Sequence, residues 1–409
     1  MMQKLLIIGY VWPEPNSSAA GTRMMTLIKL FLERGWQLRF ASPAQRGGHE
    51  VDLAALGVAS DEIALNNISF DHYVADYSPD MVLFDRFMME EQFGWRVEQC
   101  CPSALRVLDT EDLHFLRDAR HRALKRGRSV EAGDYCSDMA KREVAAIFRS
   151  DLTLMISSVE CELLTSQFSV PPSLLLYSPF MLPPPRPLEA LPAFEQRRHF
   201  ISIGNFRHAP NWDAVLQLKQ KVWPLIRRQL PEAELHIYGA YPPKKATELH
   251  QPKQGFLVKG WAEDAQQVVS DSRVLLAPLR FGAGQKGKLV EAMQCGTPSV
   301  TTSVGAEAMA SLEGWPGAVC DDWQDFADAA VALYRGEGWQ QSRLRGRALL
   351  SDRYDAQQLG DALMAKVTEL AASIEQHRQS NFIGLMLRHH HHKSTQYMAQ
   401  WIEAKNRQS

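Results

Sequence analysis

Three glycines stand close together in the second half of the sequence, in the segment PLRFGAGQKGKLVEAM at 278–293. Gly282, Gly284 and Gly287 have the spacing G-x-G-x-x-G, with an apolar run before them and a helical pattern after them. Such glycines let the backbone turn tightly around a diphosphate, and the helix that follows directs free N–H groups at it. The segment therefore predicts a phosphate-binding loop, which a dinucleotide or another phosphate ligand could occupy.

Two lysines, Lys286 and Lys288, distinguish this loop from a dinucleotide loop, which holds its pyrophosphate largely with backbone groups and the helix dipole. Cations beside a helix N-terminus are electrostatically unfavourable unless an anion occupies the site. Glu291 follows, and we expect it in the first turn of the helix. The lysines favour a diphosphate that departs with its charge neutralised over an ordinary solvated turn.

Composition limits the class of protein. The chain has 409 residues, of which 45% are apolar, enough for two hydrophobic cores. A formal net charge of −2 argues against a nucleic-acid-binding protein, which would carry a basic surface. The six cysteines form no C-x-x-C pair, and no run of about 18 apolar residues occurs. We expect reduced cysteines, a cytoplasmic location and no membrane span.

Short apolar runs alternate with helical patterns in both halves, which is typical of parallel sheets with crossover helices. The predicted strands are 4–9, 38–42, 81–85, 105–109, 152–157, 173–178, 200–206, 234–239, 256–261, 273–279, 298–303 and 318–321. The intervening segment 178–199 is the most proline-rich of the chain, and proline fits neither a helix interior nor a central strand.

The sequence therefore predicts an α/β fold in four parts. These are a first domain at 1–180, a linker at 181–199, a second domain at 200–354 and C-terminal helices at 355–409. Open parallel sheets bind ligands at the carboxyl ends of their strands, so the predicted site is a cleft between the two sheets.

The second half resembles the nucleotide-binding domain of GT-B glycosyltransferases, specifically glycosyltransferase family 4, also called group 1. The resemblance rests on FISIGNFRHAPNWDAV at 200–215 and on the segment 260–309, which includes the glycine-rich loop. RVLDTEDLHFLRDAR at 106–120 and REVAAIFRSDLTLMISSVE at 142–160 are similar to the acceptor-side domain of that family. The resemblance implies two Rossmann-like domains facing each other across a cleft.

The resemblance also implies a reaction, the retaining transfer of a sugar from a nucleoside-diphosphate sugar to an acceptor hydroxyl of a bacterial polysaccharide or glycolipid. The departing diphosphate must be stabilised, and we assign this role to Lys286 and Lys288. No Asp-x-Asp pair of the kind that holds a metal in GT-A enzymes occurs in the sequence. We expect no essential metal and no cofactor, and we expect the acidic run Asp109–Asp112 to cap a strand and orient its neighbours.

Individual roles follow from the same resemblance. Glu291 matches the motif glutamate that typically bonds the nucleoside ribose. His114 matches the histidine that follows the fourth strand, faces the donor sugar and is thought to stabilise the reacting centre. Asp112 and Arg117 would orient His114 or meet the acceptor, with surface pairing as the alternative.

The donor side departs from the family at one position, because the usual partner glutamate falls on Ala283. Backbone N–H groups of Gly282 to Gly284 could take its place. Arg207 follows a strand end and would face the cleft. Many relatives, however, carry basic residues at the positions of Asn205 and Pro210 instead.

Two further donor contacts are expected. Gly21 occupies the position of a glycine-rich turn that approaches the donor phosphate in the family. Glu307 follows another strand and would contact the nucleotide or the sugar, or else cap a helix.

The C-terminal part begins with a helix predicted at 356–377, which we expect to cross back onto the first domain as in GT-B folds. The tail contains four histidines, His389–His392, for which a metal-binding role is not expected. Tyr397, Met398, Trp401 and Ile402 have helical spacing, which favours docking onto the protein itself over a membrane-surface contact.

Two other function classes stay open. An NAD-dependent oxidoreductase could use the glycine-rich loop, although such a fingerprint normally opens the first βαβ unit and this one follows a fourth strand. A non-catalytic nucleotide-sugar-binding subunit is the other, since Ala283 replaces a motif glutamate. The expected partners are a UDP or GDP sugar and a carbohydrate or glycolipid acceptor.

Overall fold

The computed structural model describes residues 3–407, apart from the side chains of residues 390–393. The strands are β1 (Lys4–Ile8), β2 (Gln37–Ser42), β3 (Ala59–Glu62), β4 (Met81–Asp85), β5 (Leu105–Asp109), β6 (Leu152–Met155), β7 (Leu175–Tyr177), β8 (Arg198–Ile203), β9 (Leu235–Tyr238), β10 (Phe256–Gly260), β11 (Ser272–Ala277), β12 (Ser299–Thr301) and β13 (Gly317–Val319). The helices are α1 (Ala19–Glu33), α2 (Ser69–Tyr77), α3 (Phe87–Cys100), α4 (His114–Lys125), α5 (Asp138–Arg149), α6 (Ser158–Phe168), α7 (Ala209–Gln217), α8 (Trp223–Gln229), α9 (Lys244–Thr247), α10 (Ala265–Ser270), α11 (Gly287–Gln294), α12 (Ser303–Ala306), α13 (Trp323–Arg335), α14 (Trp339–Arg353), α15 (Ala356–Ala372), α16 (Ile374–Ser380) and α17 (Phe382–Asn406).

The first domain is built on a seven-stranded parallel sheet in the order β3-β2-β1-β4-β5-β6-β7. Its central strands are apolar on both faces, because helices cover both sides of a parallel sheet. In β1, for example, Leu5 and Ile7 belong to one core cluster and Leu6 and Ile8 to the opposite one. This continuous burial explains why the sequence predicts these strands well.

The second domain repeats the plan with a six-stranded parallel sheet in the order β10-β9-β8-β11-β12-β13. Strand order reverses between β1 and β4 in the first sheet and between β8 and β11 in the second. Ligands of doubly wound sheets bind outside the carboxyl ends of the strands at such a reversal. The glycine-rich loop follows β11 and therefore lies at this point of the second sheet.

The predicted α/β fold with two Rossmann-like domains is confirmed. Strand β3 was not predicted, since its sequence ASDE is polar and lies at the edge of the sheet. It shows no apolar run because neither face of it is fully buried.

The two connections between the domains run side by side. Leu182, in the linker, forms a parallel bridge with Asp355, just before α15. The backbone N–H of Leu182 donates to the carbonyl of Tyr354 at 2.7 Å, and the N–H of Ala356 donates to the carbonyl of Leu182 at 3.0 Å. These bonds tie the chain leaving the first domain to the chain returning to it.

Helix α15 packs against the first domain, where Leu363, Val367 and Leu370 enter the same core cluster as residues of α1. The helix predicted at 356–377 is too long, because α15 ends at Ala372 and α16 begins at Ile374. Among the helices of residues 3–407, none combines the length and the apolar character needed to cross a bilayer.

Helix α17 docks on the first domain through polar groups, the small residue Ala399 and Leu387, which packs against the first-domain core. Asn381 donates to the Phe148 carbonyl at 2.7 Å, Arg96 pairs with Glu403 at 2.7 Å, and Ala399 is buried. The prediction that Tyr397, Met398 and Trp401 dock onto the protein is wrong, since all three are exposed. The side that docks has weaker apolar character than the side that faces outward.

Candidate functional site

The glycine-rich loop after β11 is docked against the first domain. Ala283 belongs to a first-domain core cluster, and the carbonyl of Gly282 accepts a hydrogen bond of 2.8 Å from Arg120 of α4. Gly284 has φ = 62°, and its N–H donates to the carboxylate of Glu160 at 2.6 Å. The expectation that all the N–H groups of Gly282 to Gly284 are free for a donor is therefore corrected, because Glu160 engages that of Gly284.

Lys286 and Lys288 flank the N-terminus of α11, whose N-cap residue is Lys286 and which has no side-chain cap. The ammonium of Lys286 donates to the carbonyls of Gly284 at 2.6 Å and Ala283 at 3.3 Å. The ammonium of Lys288 donates to Asn211 Oδ1 at 2.8 Å. Within the described part of the chain, neither ammonium forms an ion pair with a carboxylate.

Burial lowers the pKa of both lysines. For Lys286 the carboxylates of Glu307 and Glu160 oppose this effect, and for Lys288 the carboxylate of Glu291 does so and the pKa falls to about 8. Two cations that lack a direct carboxylate partner beside an uncapped helix N-terminus form a site that favours an anion. The arrangement is suited to a diphosphate.

Glu291 lies in the second turn of α11, since the helix begins at Gly287 and its first turn has no acidic residue. The expectation of a first-turn position is therefore wrong. Burial raises the pKa of Glu291 to about 7, Asp264 adds to this effect and Lys288 opposes it. Glu291 is half-buried one turn beyond the two lysines.

On the first-domain side, His114 begins α4 and its backbone N–H donates to Glu143 at 3.0 Å. Its Nε2 lies 3.6 Å from Oδ1 of Asp112, and burial lowers its pKa to about 4. The imidazole is therefore neutral at pH 7. Asp112 also pairs with Arg117, which joins the three predicted residues in one cluster.

The acidic run Asp109–Asp112 makes ion pairs with arginines. Asp109 is fully buried and pairs with Arg23 at 3.0 Å. Burial would raise the pKa of Asp112, but the positive charge of Arg117 holds it below its usual value. These contacts agree with an orienting role for the run.

Arg207 and Gly21 both lie near Glu14, since the hydroxyl of Tyr241, on which Arg207 stacks, donates to Glu14. Arg207 is exposed, and its guanidinium stacks 3.6 Å from the ring centroid of Tyr241. Gly21 is the third residue of α1, and a Cβ at this position would lie 2.5 Å from the Glu14 carbonyl. Glycine thus permits the loop after β1 to fold back over the start of α1.

Glu307 joins the two domains. Both of its carboxylate oxygens accept hydrogen bonds of 2.8 Å from Arg120. Glu307 is also the C-cap residue of α12, whose N-cap is Thr302, so it has the helix-capping position offered as the alternative while its carboxylate contacts Arg120. In the described conformation Arg120 bridges Glu307 and the glycine-rich loop.

Three residues of the cleft are not predicted from the sequence, namely Arg120, Glu160 and His208. Desolvation by the surrounding protein and the charge of Arg117 lower the pKa of His208, although its side chain is exposed, and Lys286 and Lys288 add to this effect. His208 follows the carboxyl end of β8, where the strand order reverses, and this position was the available signal. Arg120 lies one turn beyond Arg117 on α4, a spacing that helical periodicity could have indicated.

Glu160 is fully buried at the start of α6. Its Oε1 accepts from Gly284, while Oε2 has no hydrogen-bond partner in the described part of the chain. Burial and the charge of Asp112 raise its pKa to about 7. It supplies a carboxylate beside the loop in which Ala283 occupies the position of the family's motif glutamate.

Comparison with known proteins agrees with this architecture. Residues 197–336 match the family model described as "Glycosyl transferases group 1". A search of curated proteins finds no match to the chain.

Solved structures superpose on nearly the whole chain. Sucrose-phosphate synthase from Thermosynechococcus elongatus has a TM-score of 0.68 at 14% identity, covering 91% of this chain and 100% of that one. HepE from Anabaena, solved with UDP, has a TM-score of 0.66 at 13% identity, with 90% and 100% covered. WaaG, described as a glycosyltransferase involved in lipopolysaccharide biosynthesis, has a TM-score of 0.61 at 12% identity, with 88% and 98% covered. The shared fold is GT-B.

Proposed function

We propose that this protein transfers a sugar from a nucleoside diphosphate to an acceptor hydroxyl, with retention at the anomeric carbon. The premise is that the chain has the GT-B fold and that its second domain matches the group 1 family of glycosyl transferases. The observation that carries the proposal is the pair Lys286 and Lys288 at the uncapped N-terminus of α11. The pair lies where the strand order of the second sheet reverses, the usual ligand position of such sheets.

In the proposed complex the diphosphate lies at the start of α11. The electron pair of the broken glycosidic bond stays on the diphosphate, where Lys288 and the helix dipole stabilise its growing charge. The acceptor oxygen bonds to the anomeric carbon, and its proton passes to a diphosphate oxygen. The bond broken and the bond formed are thus both carbon–oxygen bonds, and no redox step is required.

Other residues of the cleft position the substrates. Glu291 lies one turn along α11 from the lysines and is placed to bond the ribose of the donor. His114 is neutral at pH 7, so it can hydrogen-bond a sugar hydroxyl without carrying a charge to the reacting carbon. Asp112 and Arg117 hold His114 and border the acceptor side.

We propose UDP as the first donor base to test, since HepE was solved with UDP and with UDP-glucose. GDP is the alternative. The acceptor belongs to polysaccharide or glycolipid synthesis in this proposal, and WaaG, which acts in lipopolysaccharide biosynthesis, has the same fold. A cytoplasmic location is supported by six free cysteines.

Calorimetric titration with UDP, GDP, their sugars and NAD tests the proposal. We expect one nucleoside diphosphate to bind, and we expect binding and turnover to persist in EDTA because no cleft residue is assigned to a metal. Protection from thermal unfolding by NAD, without protection by any nucleoside diphosphate, would favour an oxidoreductase. Failure of every sugar nucleotide to bind would contradict the proposal and favour a scaffolding subunit that binds no nucleotide sugar.

A peripheral contact with an anionic membrane surface is the proposed use of the outer side of α17. Tyr397, Met398 and Trp401 are 65%, 58% and 60% exposed, and the ammonium of Lys405 lies 5.4 Å from the Trp401 ring centroid. Aromatic residues favour the membrane–water interface, and lysine is attracted to anionic lipids.

Sedimentation with phosphatidylglycerol vesicles tests this contact. We expect Tyr397→Ser and Trp401→Ser together to reduce the bound fraction several-fold. Leu312→Ser, which alters an equally exposed apolar residue of the second domain, should not change it. The proposed contact would be contradicted if the wild type and all variants sedimented with the vesicles to the same extent, or if none of them sedimented with the vesicles.

A further inference from the structure

Three side chains with nitrogen or oxygen ligand atoms converge at the amino-terminal edge of the second sheet, opposite the cleft. His199 is the second residue of β8, His236 is the second residue of β9, and Glu234 immediately precedes β9. The register pairs Phe200 with Leu235 and Ile201 with His236. Strand side chains alternate between faces, so Glu234 and His236 share one face of the sheet, and the ring of His199 stacks on that of His236 beside them.

The ligand atoms are close together. Nε2 of His236 lies 2.8 Å and Nδ1 of His199 lies 3.7 Å from Oε2 of Glu234. The two imidazole rings stack with centroids 4.0 Å apart and planes inclined by 21°. All three ligand atoms lie within 4.8 Å of one another. Ligands of a tetrahedral zinc ion are about 3.3 Å apart, given bond lengths of about 2.0 Å, so small side-chain rotations suffice.

Exposure leaves room for a further ligand. The side chain of His236 is 10% exposed, that of His199 31% and that of Glu234 46%. Two ligands are therefore fixed by the strands, while the carboxylate can adjust from the solvent side. A fourth position would face water.

We propose that His199, Glu234 and His236 form a binding site for a divalent transition metal of the zinc class, with water as the fourth ligand. Two imidazoles and one carboxylate suit zinc, nickel or copper better than magnesium or calcium, which prefer oxygen ligands alone. Lys259 and Arg198 act electrostatically on these histidines, and their positive charges weaken the site without entering it.

The site would act on the connection between the domains. His199 is the last residue of the predicted linker, and its φ of 47° lies in the left-handed region that residues other than glycine seldom occupy. A metal bound to His199 and to two residues at β9 would hold the end of the linker to the second sheet. Because this edge is opposite the cleft, metal binding should alter stability and leave the chemistry of sugar transfer unchanged.

The run His389–His392 is a competing zinc ligand and must be removed from the measurement. The full-length protein with these four histidines replaced by glutamine serves as the background. After chelation and gel filtration, zinc is titrated against a chromophoric chelator and the bound metal is counted by mass spectrometry. We expect one equivalent of zinc and a rise in Tm on zinc addition.

In that background His236→Gln and, separately, His199→Gln should weaken zinc binding at least tenfold and abolish the rise in Tm. His72→Gln, which alters an exposed histidine of the first domain, should still bind one equivalent of zinc. Tm without zinc shows whether each variant is folded. The proposal would be overturned if the protein without the histidine run bound no zinc. It would also be overturned if both His199→Gln and His236→Gln still bound one equivalent of zinc. Neither result affects the proposed sugar transfer, which is measured separately in EDTA.

Discussion

Lys288 shows at the scale of a single residue how the site keeps a cation available for a ligand. Among the described residues its ammonium hydrogen-bonds a neutral amide alone, that of Asn211, and burial lowers its pKa to about 8. A buried cation without a carboxylate partner destabilises the free protein. The same charge becomes favourable when a diphosphate is present.

Lys288→Ala should reduce kcat and kcat/KM together by about 10- to 150-fold, because a charge-assisted hydrogen bond contributes about 1.5–3 kcal/mol. Steady-state kinetics measure this loss. Lys244→Ala, which removes an exposed lysine of α9, is the control and should keep wild-type rates. Unchanged kinetics and nucleotide affinity in both Lys288→Ala and Lys286→Ala would leave the loop without its proposed role.

The pKa of Lys288 gives two pH dependences. In the wild type kcat/KM should fall as the pH rises through about 8, because the free enzyme loses the charge, and Lys288→Arg should remove this fall. The folded pKa lies below the unfolded value of about 10.4, so the destabilisation is complete below pH 8 and vanishes above pH 10. Lys288→Ala should therefore raise Tm at pH 7 and raise it much less at pH 10, as measured by calorimetry.

At the scale of the element, the glycine-rich loop depends on Gly284 for its contact with the first domain. Its φ is 62°, and a Cβ would lie 2.9 Å from Cβ of Asp112 and 3.2 Å from Ile156. Only glycine can adopt this positive φ at no steric cost and also lack the Cβ for which there is no room. Any other residue type would displace the loop.

Gly284→Ala should cost about 1–3 kcal/mol of loop docking, with faster hydrogen exchange at 282–286 and at least tenfold slower sugar transfer. Gly133→Ala provides the matched control, since a Cβ there meets nothing within 4 Å and the position has no positive φ. Identical exchange in the two variants would show that docking of the loop does not depend on Gly284.

The elements were more predictable from the sequence than the contacts between them. The runs at 81–85 and 105–109 match β4 and β5 because both strands are buried on every face. Lys286, Lys288 and the glycines were found because they share one loop. Arg120 and His208 had weak local signals, the helical spacing from Arg117 and the position after β8, whereas the contact of Glu160 with Gly284 arises from the placement of one domain against the other, which no local pattern encodes.

At the scale of the molecule, polar contacts join the two domains across the cleft. Arg120 pairs with Glu307, and the hydroxyl of Tyr241 donates to Glu14 at 2.9 Å. A half-buried bidentate pair resists opening but is weaker than an apolar interface, so the domains can still separate. In the structure these contacts hold the two domains together across the cleft.

Arg120→Ala and Glu307→Ala should each open the cleft and increase the radius of gyration seen by small-angle scattering. The double variant should have nearly the same radius of gyration as either single variant, because the two residues share one interaction. The coupling free energy between the two substitutions should be about 0.5–3 kcal/mol. Arg34→Ala, which breaks an exposed ion pair with Asp361 on the back of the first domain, should leave the radius unchanged. Additive effects of the two substitutions would contradict the proposed bridge.

The return of α15 to the first domain has a consequence for synthesis. Leu363, Val367 and Leu370 complete a core whose other members, such as Met24 and Leu27, leave the ribosome more than 300 residues earlier. Domains generally fold as units in the order of synthesis. Here part of the apolar surface of the first domain stays exposed until the second domain and then α15 have been translated. We therefore expect the nascent chain to be prone to association until α15 docks, and we expect the second domain to reach its native state before the first.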